Sequence, residues 1–177
     1  MNAKKTKNMS RDNLLQQLDY LKLFHLKDQL QSYVDLALER ELGPLDFLEA
    51  CIQAEFESKK ERVGNRRVKA ARFPILKTLD TYAFHYPKKI DKERVRNLFR
   101  LDFLDRHENI TFIGPTGVGK THLATALGFH ACCNGYDVLF TSAIDMINKL
   151  TEAHHQHLLG SKLKAYIRAD ILVIDLW

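Results

Sequence analysis

The sequence predicts an α/β fold in which a helical N-terminal domain precedes a parallel-sheet domain built around a phosphate loop. Three observations carry that expectation. Leucines recur at spacings of three and four through the first forty or so residues. After residue 109 short apolar runs alternate with helical segments, and a glycine-rich octet sits between the first run and the next helix. At 177 residues the chain holds one domain plus a smaller helical piece, and 45% hydrophobic against 28% charged residues places it among folded chains rather than disordered ones.

Ser10 to Glu41 reads as an amphipathic helix or helix pair, with Leu14, Leu15, Leu18 and Leu21 followed by Leu26, Leu30, Val34 and Leu38. Gly43 and Pro44 end it: glycine suits a left-handed cap, and proline opens the next helix without missing its amide hydrogen. Leu45, Leu48, Ile52 and Phe56 restart the period, and the pattern continues to Phe73-Pro74. Residues 75 to 90 read as a connector. Within it, Phe84 and Tyr86 either line an adenine pocket or seat one domain on the other. Residues 91 to 106 read as helix, with Val95, Leu98, Phe99 and Phe103 on one face.

Asn109 to Ile113 (NITFI) is a strand candidate, Lys120 to Cys133 a helix, and Asp137 to Thr141 a second strand. Ser142 to Asp145 resembles a capping box at the start of a helix through Leu150. Ile171 to Asp175 (ILVID) is apolar enough for a strand buried on both faces. The expected organisation is a basic helical domain over 1–74, a connector and helix over 75–106, and a phosphate-loop domain over 107–177.

No stretch of about 18 apolar residues occurs, and Lys4, Lys5 and Lys7 open the chain without the apolar run of a signal peptide. The expectation is a protein neither membrane-spanning nor secreted. Cys51, Cys132 and Cys133 show no CxxC spacing, which argues against a disulfide framework or zinc site and for the reducing cytoplasm. Cys132 and Cys133 are expected to pack rather than react. His154, His155 and His157 lack a Cys or acidic partner at ligand spacing and read as a solvated helix end.

Gly114-Pro115-Thr116-Gly117-Val118-Gly119-Lys120-Thr121 satisfies GxxxxGK[ST] between a predicted strand and a predicted helix. The glycines let backbone amides turn inward around phosphate, and the helix start adds its positive end. Lys120 suits the β- and γ-phosphates and the Thr121 hydroxyl suits Mg²⁺. Asp175, closing an apolar strand, is the expected carboxylate partner of that metal. A second acid to orient the attacking water is expected next, but Leu176 and Trp177 stand there.

The net charge of +5 is unevenly placed, with 22 of the 27 Lys and Arg residues in the first 109 positions. Lys59, Lys60, Arg62, Arg66, Arg67, Lys69 and Arg72 crowd one stretch that contains a single acid, Glu61. Such a run is either a phosphate-tracking contact with double-stranded DNA or a solvated helix face.

These features resemble an IstB-like ATPase, the helper of insertion-sequence transposition, a relative of DnaC-type helicase loaders in the AAA+ group. The resemblance rests on the phosphate loop together with Arg66-Arg67-Val68-Lys69-Ala70-Ala71-Arg72-Phe73-Pro74, then Lys77-Thr78-Leu79-Asp80 and Phe84, and Gly119-Lys120-Thr121-His122-Leu123-Ala124 with Ala126-Leu127-Gly128. It implies ATP and Mg²⁺ as cofactors, a transposase and duplex DNA as partners, and self-assembly on DNA. It also implies two further core strands and γ-phosphate-sensing arginines after the ILVID strand. The expectation is therefore an incomplete AAA+ domain of the ASCE type, truncated at its C-terminus, that binds ATP with impaired hydrolysis. In that sheet order the NITFI strand pairs with the missing strands, which leaves its edges without neighbours. The alternatives are a helicase loader, a nucleotide-independent basic helical adaptor, or a small-molecule kinase, for which no lid or acceptor pocket is evident.

Overall fold

The computed structural model describes residues 2–84 and 90–176. His85, Tyr86 and Trp177 lie outside the described residues. The elements are α1 (Asn2–Tyr20), α2 (Phe24–Glu39), α3 (Pro44–Ala71), α4 (Lys92–Leu98), α5 (Asp102–Asp105), α6 (Lys120–Cys133), β1 (Val138–Ser142), α7 (Ala143–His155), α8 (Leu159–Ile167) and β2 (Ile171–Asp175). They form two compact units, Met1–Arg62 and Val63–Trp177, divided within α3. No helix among the described residues is long and apolar enough to cross a membrane.

In the first unit the leucine-rich stretch is a helix pair. Lys22 takes φ 58° after α1, and the Leu23 amide bonds back to the Leu18 carbonyl at 2.9 Å. The α2 terminus repeats this closure through Glu41, at φ 51°, with the Leu42 amide on the Ala37 carbonyl at 3.0 Å. Glu41 therefore takes the left-handed position expected of Gly43, while Pro44 opens α3 as its missing N–H allows.

Leu18, Leu26 and Cys51 form the core here, with Leu15, Leu23, Leu30, Tyr33 and Phe47 around them. The expected apolar stripe of α3 is turned outward instead: Leu45, Leu48, Ile52 and Phe56 are all exposed. The inward face of α3 carries Phe47, Cys51 and Glu55, spaced by four. Glu55 explains the choice. Its buried carboxylate accepts the Leu26 amide at 2.8 Å and the Arg62 guanidinium at 2.9 Å. Leu23, at the N-cap of α2, has no side-chain cap bond, so a carboxylate from another helix satisfies that terminus and meets its positive dipole end.

The second unit is α/β. β1 and β2 pair in parallel, with Val138 opposite Ile171 and Ser142 opposite Asp175. Helix α6 packs on both strands. Its buried residues Leu123, Thr125, Ala126, Leu127, Gly128, Ala131 and Cys132 extend well beyond the one face that the sequence marks. A Cβ at Gly128 would lie 2.9 Å from the Phe73 ring, so glycine permits the close approach of α6 to that ring. At the strand entrance the Asp170 carboxylate accepts the Asp137 amide at 2.7 Å, and Arg67 bonds the Asp137 carboxylate at 3.0 Å. Ser142 caps α7 by accepting the Asp145 amide at 3.0 Å, as its sequence predicts.

Three expectations need correction. Residues 91–106 are two helices, because buried Leu101 adopts φ 64° and reverses the chain so that it and Phe103 both enter the core. Residues 109–113 form no strand; the described residues place no ladder partner beside them, and Ile113 is 90% exposed. The ILVID strand is only partly buried, with Ile174 at 45% exposure, since β1 flanks one edge alone among the described residues.

Replacing Glu55 by alanine strands the buried Leu26 amide and half-exposed Arg62. We expect a loss of about 1–3 kcal/mol, discounted for solvent around Arg62, read from urea unfolding of the whole chain.

Candidate functional site

The glycine-rich octet lies between the extended segment and α6. Gly117 and Gly119 adopt φ 83° and 87°, on either side of Val118. Left-handed residues in such alternation turn consecutive amides to one side and make a concave anion nest. Gly119 is also the N-cap of α6, which has no side-chain cap bond and no acid in its first turn. The positive end of that helix therefore faces the loop with no acid in its own first turn. Gly114, Pro115, Thr116 and Gly117 are exposed, while Val118, Gly119, Lys120 and Thr121 are partly buried.

Lys120 folds back over its own loop, donating from Nζ to the Gly114 and Pro115 carbonyls at 2.9 Å each. An ammonium has three donors, so two hold the loop closed and one remains. Thr121 follows at the second position of α6. Asp175 closes β2 at the carboxyl end of the parallel pair, the end at which open α/β sheets bind ligands. Leu176, next to it, is 84% exposed and apolar, so this position supplies no second carboxylate.

Sequence reasoning passed over the group that supports the loop from beneath. Tyr82, 7% exposed, donates its hydroxyl to the Val118 carbonyl at 3.0 Å. Burial pushes its phenol above the ordinary value, so the proton stays on the oxygen. His122 Nε2 lies 3.0 Å from the Thr78 carbonyl and 3.2 Å from Thr81 Oγ1, and its ring meets Tyr82 edge-on at 5.3 Å. Residues 78–84 therefore strap the loop to the first turn of α6. The only sequence signal was indirect: Thr78 and His122 fall within stretches that carry the family resemblance, but Tyr82 follows no period. Phe84 packs on Tyr82 at 5.0 Å, with Lys92 and Arg96 over its ring, so these contacts all lie within the second unit.

The cations of α3 serve different ends. Arg62 is held by Glu55 and stacks over Phe24 at 5.4 Å, and Arg67 is held by Asp137. Lys59, Lys60, Arg66, Lys69 and Arg72 are exposed. In the second unit Arg66, Arg67 and Arg72 line a groove of about 920 Å³ together with Lys149, Lys162 and Arg168. The last three cations come from regions where the sequence shows no charge excess, so only the fold brings them to the groove.

Cys132 is fully buried, and desolvation, reinforced by Cys133, pushes its thiol up to about 11. Cys133 is exposed rather than packed, and its thiol is also raised by desolvation. Neither is set up as a thiolate nucleophile. His154, His155 and His157 are exposed at the end of α7.

An alanine Cβ at Gly119 would lie 2.6 Å from the Tyr82 ring, on a backbone with φ 87°. Gly119→Ala is expected to cost about 1–3 kcal/mol, measured as a lowered thermal midpoint of the unliganded chain.

The chain matches the family described as IstB-like ATP binding protein over residues 16–177. It is 34% identical over 160 residues to the ATP-binding protein named for insertion sequence IS5376 of Geobacillus stearothermophilus, covering 89% of this chain and 64% of that one. The corresponding figures are 37% over 158 residues for the IS21 ATP-binding protein of Pseudomonas aeruginosa, covering 89% and 60%. For the IS232 protein of Bacillus thuringiensis subsp. berliner they are 33% over 166 residues, covering 94% and 66%. The chain thus spans about 60–66% of the length of these relatives. With its phosphate loop intact and the match running through both units, the chain belongs to the family of IstB-like ATP binding proteins.

Proposed function

We propose that this chain binds ATP with Mg²⁺ and serves as an accessory protein of DNA transposition, acting with a transposase on duplex DNA. The observation that carries the nucleotide reading is the nest of Gly117 to Gly119 on the uncapped start of α6. The cradle suits a polyphosphate: Gly117 and Gly119, both at positive φ, add no side chain of their own, and Lys120 supplies a cation already anchored at the loop. Thr121 and Asp175 offer the hard oxygen ligands that Mg²⁺ prefers. That ion, when bound, would neutralise phosphate charge and fix the triphosphate's orientation. With Leu176 after Asp175, these residues support binding over turnover, so the nucleotide acts as a switch for assembly rather than as fuel.

The DNA reading rests on the exposed cations of α3 and on the groove where Lys149, Lys162 and Arg168 join Arg66, Arg67 and Arg72. Such cations track phosphates without reading bases. The relatives named above are ATP-binding proteins of insertion sequences, which favours transposition over replication as the setting.

Titration with Mg²⁺ and ATP should give saturable binding that Lys120→Ala weakens by about ten- to a hundredfold, the range for a charge-assisted contact. Equal binding by the variant would overturn the assignment of the loop. Duplex DNA affinity should fall linearly with salt on logarithmic axes, and each of Arg66→Glu, Arg72→Glu and Lys162→Glu should reduce the slope by about 1. A salt-independent affinity would exclude phosphate contacts.

A further inference from the structure

We infer that Tyr82 is a positioning residue for the phosphate loop, setting the direction of the Gly119 amide by holding the carbonyl on the other side of the same peptide plane. This rests on the nucleotide reading above and adds the group that preforms the nest.

In a trans peptide the carbonyl and the following N–H point in opposite directions across one rigid plane. The Val118 carbonyl receives the Tyr82 hydroxyl at 3.0 Å, so the plane joining Val118 to Gly119 is pinned with its oxygen toward the strap. The Gly119 N–H must then point to the opposite side. A flip of that plane would turn ψ of Val118 and φ of Gly119 together, and glycine at 119 tolerates either sign of φ, so the plane is otherwise free to turn. One hydrogen bond from a rigid donor removes that freedom.

The donor is itself well fixed. Tyr82 is buried with Val95 and Leu123, meets Phe84 and His122 edge-on, and its ring edge fills the place a Cβ at Gly119 would take. His122 ties the first turn of α6 to the Thr78 carbonyl, so the strap grips the loop on both sides of Lys120. An aromatic here therefore serves more than core volume. A phenylalanine would fill the same space, and only the hydroxyl reaches the peptide.

The test is Tyr82→Phe, which keeps the ring and removes one oxygen, with inorganic tripolyphosphate and adenosine as separate probes on the full chain. The expected result is a loss of about two- to tenfold in tripolyphosphate affinity, the worth of one neutral hydrogen bond, with adenosine binding and thermal midpoint little changed. Carbonyl and amide chemical shifts should move at Val118 and Gly119, a local signature that general loosening of the core would not give. Unchanged tripolyphosphate affinity in Tyr82→Phe, where Lys120→Ala loses it, overturns the positioning role and leaves the nucleotide reading standing. Failure of the wild-type chain to bind tripolyphosphate removes both. Should the variant not fold, the wild-type chain still decides: the Gly119 amide proton is expected to shift downfield on adding tripolyphosphate, and an unmoved Gly119 beside shifting neighbours would refute the inference.

Discussion

Burial of α6 against the strand pair is the constraint on which the second unit turns. A helix covered around most of its circumference cannot rotate or slide, so the direction of its N-terminal amides becomes a fixed property of the fold. The loop before it inherits that rigidity directly at one end, and at the other only through Ile110 and Phe112, which pack on the core. At the other end lies an extended segment with no ladder beside it among the described residues, and Ile113 stands almost fully exposed. The loop's geometry is therefore tied to α6, to the strap of residues 78–84 and to the packing of Ile110 and Phe112 ahead of it, with no ladder among the described residues to add to these.

Charge in this chain is divided between fixing structure and facing solvent. Glu55 closes the start of α2 and Arg67 secures the entrance of β1 through Asp137. Those pairings withdraw Arg62 and Arg67 in part from any polyanion, because a guanidinium already satisfied by a carboxylate offers a weaker net attraction. The cations with no such tie among the described residues, Lys59, Lys60, Arg66, Lys69 and Arg72, keep the field that the sequence composition suggests. A basic run is thus a mixed population whose members separate only when their neighbours in space are known.

The fold class and the glycine turn into α6 were legible because both are local. GxxxxGKT needs only its own eight residues and the elements on each side, and the Ser142 cap needs only Asp145 three residues on. What stayed hidden depends on partners distant in sequence. The leucine stripe of α3 has perfect helical spacing and yet faces outward, because Glu55 at the complementary positions is recruited by α2. NITFI has strand composition but forms no strand, since composition supplies propensity and a ladder requires a neighbour. Tyr82 carries no periodic mark, and its value arises from a carbonyl 36 residues away.

Lys120 shows why the affinity of such a site is a difference rather than a sum. Its ammonium donates to the carbonyls of Gly114 and Pro115. On the nucleotide reading proposed above, a phosphate would gain the remaining N–H of Lys120 outright, and any further contact only at the expense of those two bonds. On that reading the exchange returns little to small or singly charged anions and favours a chain of phosphates that would engage the amide nest and the lysine together. The same two bonds brace the loop across its mouth. The glycines make the cradle possible, but a loop of glycines alone has no preferred shape. The lysine across its mouth and the tyrosine beneath it are what give it one.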